Sequence, residues 1–168
     1  MKFSVLLISM TLFLIGNLTA QEKVKWYSYS SIEGKARVKF PAEPELKTDA
    51  QETMKTFTAM ANAFNGMESD LYYLAITVHQ AELEDPALLD TSLNAFTRTM
   101  GGTIASREEW KAGKPKGLRA AIVLNNQAGK CDYRVLMRGN LQYQVMIVTS
   151  SVFNEKLQKK FFKSFKLI

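Results

Sequence analysis

A mainly antiparallel α+β domain is the fold class this sequence predicts, on three observations. Apolar and polar residues alternate along several short segments, turn residues separate those segments at hairpin distances, and two further segments carry apolar residues at helical spacing. The expected architecture is a single antiparallel sheet of about six to eight strands flanked by two main helices, in one domain over residues 21–168. With 46% hydrophobic and 23% charged residues, only four Pro and nine Gly, the chain has enough apolar material for a core and lacks the bias of a disordered or collagen-like sequence.

The elements follow in order. Tyr27 and Tyr29 precede Glu33-Gly34, after which Ala36, Val38 and Phe40 alternate with charged residues, predicting a hairpin closed by Pro41. Pro41 to Glu45 reads as an extended linker, because proline cannot continue a ladder. A second hairpin is predicted from Thr53 through Ala63, with Asn65-Gly66 supplying the turn, and returns along Leu71 to His79. Both faces of that return strand are apolar, so it is expected to be central and covered on both sides.

Asp85 and Pro86 then mark a helix start, with Asp85 as the cap and Pro86 in the first helical position. Leu89, Leu93, Phe96 and Met100 form its apolar stripe, and Gly101-Gly102 ends it. Four strands are predicted next, over 103–110, 118–124, 130–138 and 141–149, with connections short enough for a meander. A last helix begins near Asn154, turns Leu157, Phe161, Phe162 and Phe165 inward, and leaves Lys156, Lys159, Lys160 and Lys163 to water.

The first residues predict export. Lys2 precedes an apolar stretch from Phe3 to Ile15, and a small residue, Ala20, stands before the polar Gln21-Glu22-Lys23, the three parts of a secretory leader at 1–20 cleaved after Ala20. The apolar stretch stops short of the roughly 20 residues a membrane span needs, and no cysteine follows it to accept a lipid. A periplasmic or secreted protein with no transmembrane anchor in the mature chain is expected. Cys131, the single cysteine, has no internal partner and alternates with Tyr133, Val135 and Met137, which predicts a buried, inert thiol.

A stretch ending in Phe-Pro (Val38-Lys39-Phe40-Pro41-Ala42-Glu43-Pro44) and a C-terminal pattern of Gly139, an apolar strand around Tyr143 to Val148 and a helix closing in Phe161-Phe162-Lys163-Ser164-Phe165 resemble PsbP-like domains. Over Trp26 to Ile168 the resemblance implies an α/β/α sandwich and an exported accessory domain without enzymatic activity. It transfers no binding site, because no residue of a photosystem contact can be matched.

Chemistry is sparse. With one histidine and one cysteine, no zinc framework of the usual nitrogen and sulfur kind is expected. No G-x-S-x-G elbow and no phosphate-binding glycine loop occurs. Glu82, Glu84, Asp85 and Asp90 cluster at the first helix start without the alternating spacing of a calcium loop. No catalytic residue, metal or cofactor is therefore assigned.

Two features are singled out as candidates. His79 is the residue able to respond to pH near neutrality. The row Lys156, Lys159, Lys160 and Lys163 reads either as a solvated helix face or as a face for an anionic partner, and with a net charge of +6 the chain permits the second. Met54, Met60, Met67, Met137 and Met146 are expected in core packing, an adaptable apolar groove being the other use. The expected partner is an envelope protein or an acidic surface, not nucleic acid, for a domain that is a monomer or weak homodimer. A carrier of a small apolar or lipid ligand between sheet and helix is the alternative, and a cryptic hydrolase the least supported reading.

Overall fold

The computed structural model describes residues 24–65, 68–113, 115–125, 129–150 and 152–168, so the expected leader and Met67 lie outside the described residues. Among the described residues ten strands and two helices follow in the order β1 (Tyr27–Ser31), β2 (Ala36–Phe40), β3 (Glu45–Gln51), β4 (Met54–Asn65), β5 (Glu68–His79), α1 (Ala87–Thr99), β6 (Gly102–Lys111), β7 (Lys116–Leu124), β8 (Gly129–Arg138), β9 (Leu141–Thr149), α2 (Glu155–Ser164) and β10 (Lys166–Leu167).

The strands form two antiparallel sheets, not the single sheet expected. Seven strands order as β3-β4-β5-β9-β8-β7-β6, and β1, β2 and β10 make a separate three-stranded sheet. The separation comes from the far end of the chain, where Lys166 and Leu167 pair with Arg37 and Ala36 and cap the first hairpin away from the main sheet. The four expected strands after α1 do form the meander β6 to β9.

Both faces of the large sheet are covered in part. On the front face, Ala59 and Ala61 of β4, Tyr72, Leu74 and Ile76 of β5, and Tyr143, Val145 and Ile147 of β9 meet Val38 and Phe40 of the small sheet and Leu157 and Phe161 of α2. Phe161 lies at the middle of this core, 5.4 Å from Phe40 and 5.2 Å from Tyr72 between ring centroids. Each large side chain fully buried here contributes about 1.5–3 kcal/mol. Gly34 sets the approach of the small sheet, because a Cβ at this position would lie 2.7 Å from the Ile76 side chain.

The back face is covered by α1, whose Leu89, Leu93, Phe96 and Met100 pack against Leu118, Ala120, Ile122, Cys131 and Tyr133, as the helical spacing predicts. Phe96 stacks on Tyr133 at 4.6 Å. The helix starts one residue later than expected: Pro86 takes the capping position with φ −58°, while Asp85 Oδ1 accepts the Ala87 N–H at 2.8 Å. Gly101, at φ 60°, ends it in the left-handed conformation that glycine permits.

Another departure is β3. The stretch read as a linker gives way at Glu45 to a strand whose seven residues are all exposed, so it has no buried face to produce an apolar alternation. It pairs with β4 from Glu45↔Met60 to Gln51↔Met54. No helix among the described residues is long and apolar enough to cross a membrane.

Candidate functional site

Helix α2 decides which cations face outward. Asn154 caps it by accepting the Leu157 N–H at 3.2 Å, and Leu157, Phe161 and Phe162 then fall on the buried side. Lys156, Lys159, Lys160 and Lys163 are left on the exposed side at spacings of three and four residues.

Two grooves border this lysine row. The first, of about 860 Å³, runs between α2 and the exposed face of β1 and β2. Among the described residues its walls carry seven cations, Arg37, Lys39, Lys156, Lys159, Lys160, Lys163 and Lys166, and no carboxylate. The second, of about 1230 Å³, lies on the other side of α2 and adds Lys111, Arg134 and Arg138 to Lys159, Lys163 and Lys166, with Trp110, Phe162 and Phe165 as its aromatic wall. The structure thus brings all four predicted lysines together on one groove, two of them shared with the next. None of the four forms a salt bridge among the described residues. Lys160 stands 4.3 Å over the Trp26 ring instead.

Beside the second groove is a charge network that the sequence did not disclose. Asp132, 3% exposed, accepts two hydrogen bonds from Arg119 at 3.1 and 2.8 Å, two from Arg134 at 3.3 Å each, and one from Gln158 of α2 at 2.9 Å. Arg119 also reaches Glu108 at 2.8 Å. The guanidinium of Arg134 lies 3.5 Å over the Phe162 ring. Hydrogen bonding to Asp132 raises the Arg119 pKa, whereas burial lowers that of Arg134 and Asp132 offsets part of the effect. Asp132 thereby ties β7, β8 and α2 together and fixes one cationic wall of the groove.

His79 is elsewhere. It ends β5 on the back face, half-buried, with Nε2 3.1 Å from Gln142 Oε1, and Gln142 continues to Ser92 of α1. Its own carbonyl accepts from Asn140 Nδ2 at 2.8 Å. The large sheet separates it from the α2 lysines, and its ring bonds to an amide, not a carboxylate.

Cys131 is buried among the α1-facing residues, and burial pushes its thiol well above the ordinary range. Met146 is buried, while Met54, Met60 and Met137 are half-buried. In the acidic cluster, Glu82 and Glu84 lie at the surface with Asp85, and Asp90 pairs with Arg107 at 2.7 Å. Among the described residues no three His, Cys, Asp or Glu gather into a group that could hold a metal ion. Asp70 is a second buried carboxylate, and neither of its oxygens has a hydrogen-bond partner among the described residues. Burial, with the Asp70 charge adding to it, pushes the Tyr72 phenol upward.

Compared with known proteins, the chain matches no family model and no curated protein.

Proposed function

We infer that this chain is an exported, non-catalytic binding domain of the bacterial envelope that holds an acidic segment of a partner protein along α2. The observation that carries this reading is the first groove, whose described walls have seven cations and no acid. Lys156 to Lys163 spans about 10 Å at the helical rise of about 1.5 Å per residue, the length of about three extended residues. A concave wall of this kind suits a chain that enters it and presents carboxylates to both sides, whereas a planar bilayer meets only the rim. Ser28 and Ser30 add hydroxyl donors along the groove. The leader, and the resemblance of the Val38 to Pro44 stretch to PsbP-like accessory domains, support export and an accessory role.

The alternative, a carrier of an apolar ligand between sheet and helix, draws less support, because Phe40, Tyr72 and Phe161 fill that interval at ring-contact distances.

Titration with a glutamate-rich peptide, followed by fluorescence anisotropy at low and high salt, tests the reading. Binding is expected to weaken with salt and to fall on the order of thirtyfold or more in the Lys159→Glu, Lys163→Glu double variant, at about 1 kcal/mol for each lysine charge facing an anionic surface. Equal binding by the double variant, or binding of anionic vesicles with none of the peptide, would overturn it.

A further inference from the structure

The two edges of the large sheet are treated differently. At β6 the pairing shifts between Ile104 and Ser106, and the strand's charges are engaged internally: Arg107 with Asp90, Glu108 with Arg119, and Glu109 with Lys111 and Lys116. A bulge and internally held charges are means by which an edge is kept from pairing with another chain. The opposite edge, β3, has an unbroken register with β4, no proline between Glu45 and Gln51, and full exposure of every residue.

The order of side chains on β3 is also self-complementary. Read as Glu45-Leu46-Lys47-Thr48-Asp49-Ala50-Gln51, the strand has a centre of symmetry at Thr48. Laid antiparallel on a second copy about that residue, Lys47 faces Asp49 twice, Leu46 faces Ala50 twice, Glu45 faces Gln51 twice, and the two Thr48 residues face each other. Neighbouring registers fail. Centring on Lys47 opposes two lysines and sets Glu45 against Asp49, and centring on Asp49 opposes two aspartates. Among the described residues Lys47 pairs with Glu45 of its own strand, at 3.2 Å and well exposed; an ion pair this solvated contributes little, so Lys47 can exchange it for Asp49 of the approaching copy.

We propose that two copies of this chain join edge to edge through β3, antiparallel and centred on Thr48, to make one continuous fourteen-stranded sheet from the two seven-stranded ones. The contact is isologous, closes after two copies, and leaves β6 as the blunted outer edge on each side. It is independent of the α2 grooves, whose described walls use none of the β3 residues.

Sedimentation of the purified protein over a range of concentrations, with charge-reversed variants, tests this. K47E and D49K each place two like-charged pairs in the interface, and each is expected to dimerise at least about tenfold more weakly than the natural chain. In an equimolar mixture of the two variants the same register sets the introduced acid of one copy against the introduced lysine of the other, and the natural Asp49 of the first against the natural Lys47 of the second. The mixture is therefore expected to recover a dimer that neither variant forms alone. Both positions are exposed, so circular dichroism is expected to report unchanged folding. As a positional check, Thr48→Cys is expected to give a disulfide-linked dimer under mild oxidation, since residues facing each other in an antiparallel pair sit about 4.5–5.5 Å apart between Cα atoms. Leu46→Cys, whose opposite residue is Ala50, is expected to give none, and buried Cys131 does not compete. A natural chain that stays monomeric throughout, a mixture that stays monomeric, or cross-linking of the Leu46→Cys variant as fast as the Thr48→Cys variant would each overturn the proposal.

Discussion

Two sets of cations border α2, and they differ in what answers their charge. Arg119 and Arg134 close on Asp132, whose carboxylate is buried and receives five hydrogen bonds in all. Lys156, Lys159, Lys160 and Lys163 project from the same helix region with no carboxylate among the described residues that line their groove. The difference follows from solvation. A charge withdrawn from water must find its partners inside the protein, so the buried set is bound to the fold. A charge left in water is stabilised by water and costs the fold little, so the exposed set is free for another molecule.

The comparison breaks most sharply at Asp132. Asp132→Ala leaves a largely buried Arg134 and a half-exposed Arg119 without their shared acid, and is expected to destabilise the protein by about 3 kcal/mol in urea denaturation. The lower end of the range for broken buried pairs applies because Arg119 keeps Glu108. A loss below about 1 kcal/mol would mean that the network is not compensating a buried charge.

Alkaline titration probes the buried groups that stay neutral. Burial raises the pKa of the Cys131 thiol from 9.0 and of the Tyr72 and Tyr133 phenols from 10.0, so the folded state keeps protons that the unfolded chain releases. Their contribution is fully present below the ordinary values and is lost as the pH rises past them. The melting temperature is therefore expected to fall from about pH 9 upward, and Cys131 to react with a thiol reagent at about pH 8 only on unfolding. A melting temperature that rises above about pH 9, or rapid labelling of the folded protein, would contradict the assignment.

Asp70 supplies the converse of Asp132, a buried carboxylate without a hydrogen-bond partner among the described residues. Asp70→Asn replaces this unpartnered carboxyl with an amide of the same shape that carries no charge, and is expected to stabilise the protein by about 1 kcal/mol by the same denaturation measurement. The smallest stability change belongs to the lysines. Lys159→Ala with Lys163→Ala is expected to shift stability by no more than about 0.5 kcal/mol while weakening the acidic peptide, which separates the two cation sets by experiment.

Much of the architecture was legible before the fold was seen. The Asp85-Pro86 start and Gly101 stop bracket α1 because capping and the left-handed stop are local chemistry. Asn154 and the Leu157, Phe161 and Phe162 spacing locate α2 in the same way. What escaped was Asp132: Cys131, Tyr133 and Val135 mark an inward face, and alternation then assigns Asp132 to water. The strand is covered on both sides, so its second face is buried too, and the carboxylate is kept there by Arg119 from β7 and Gln158 from α2, neither of which is near it in sequence. The lysine row was visible as a row, but its grooves were not, because their opposite walls come from β1 and β2 and from the loop after β6.

By itself the sequence determined the strand alternations, the helix limits, the inward aromatic stripe and the outward lysines, all of which depend on residues a few positions apart. The tertiary structure alone decided that the first hairpin leaves the main sheet to join β10, that β3 is a strand at all, and that Asp132 is enclosed. Each of these rests on pairing or packing between distant segments, or on a strand with no buried face, and a period read along one segment carries no information about either.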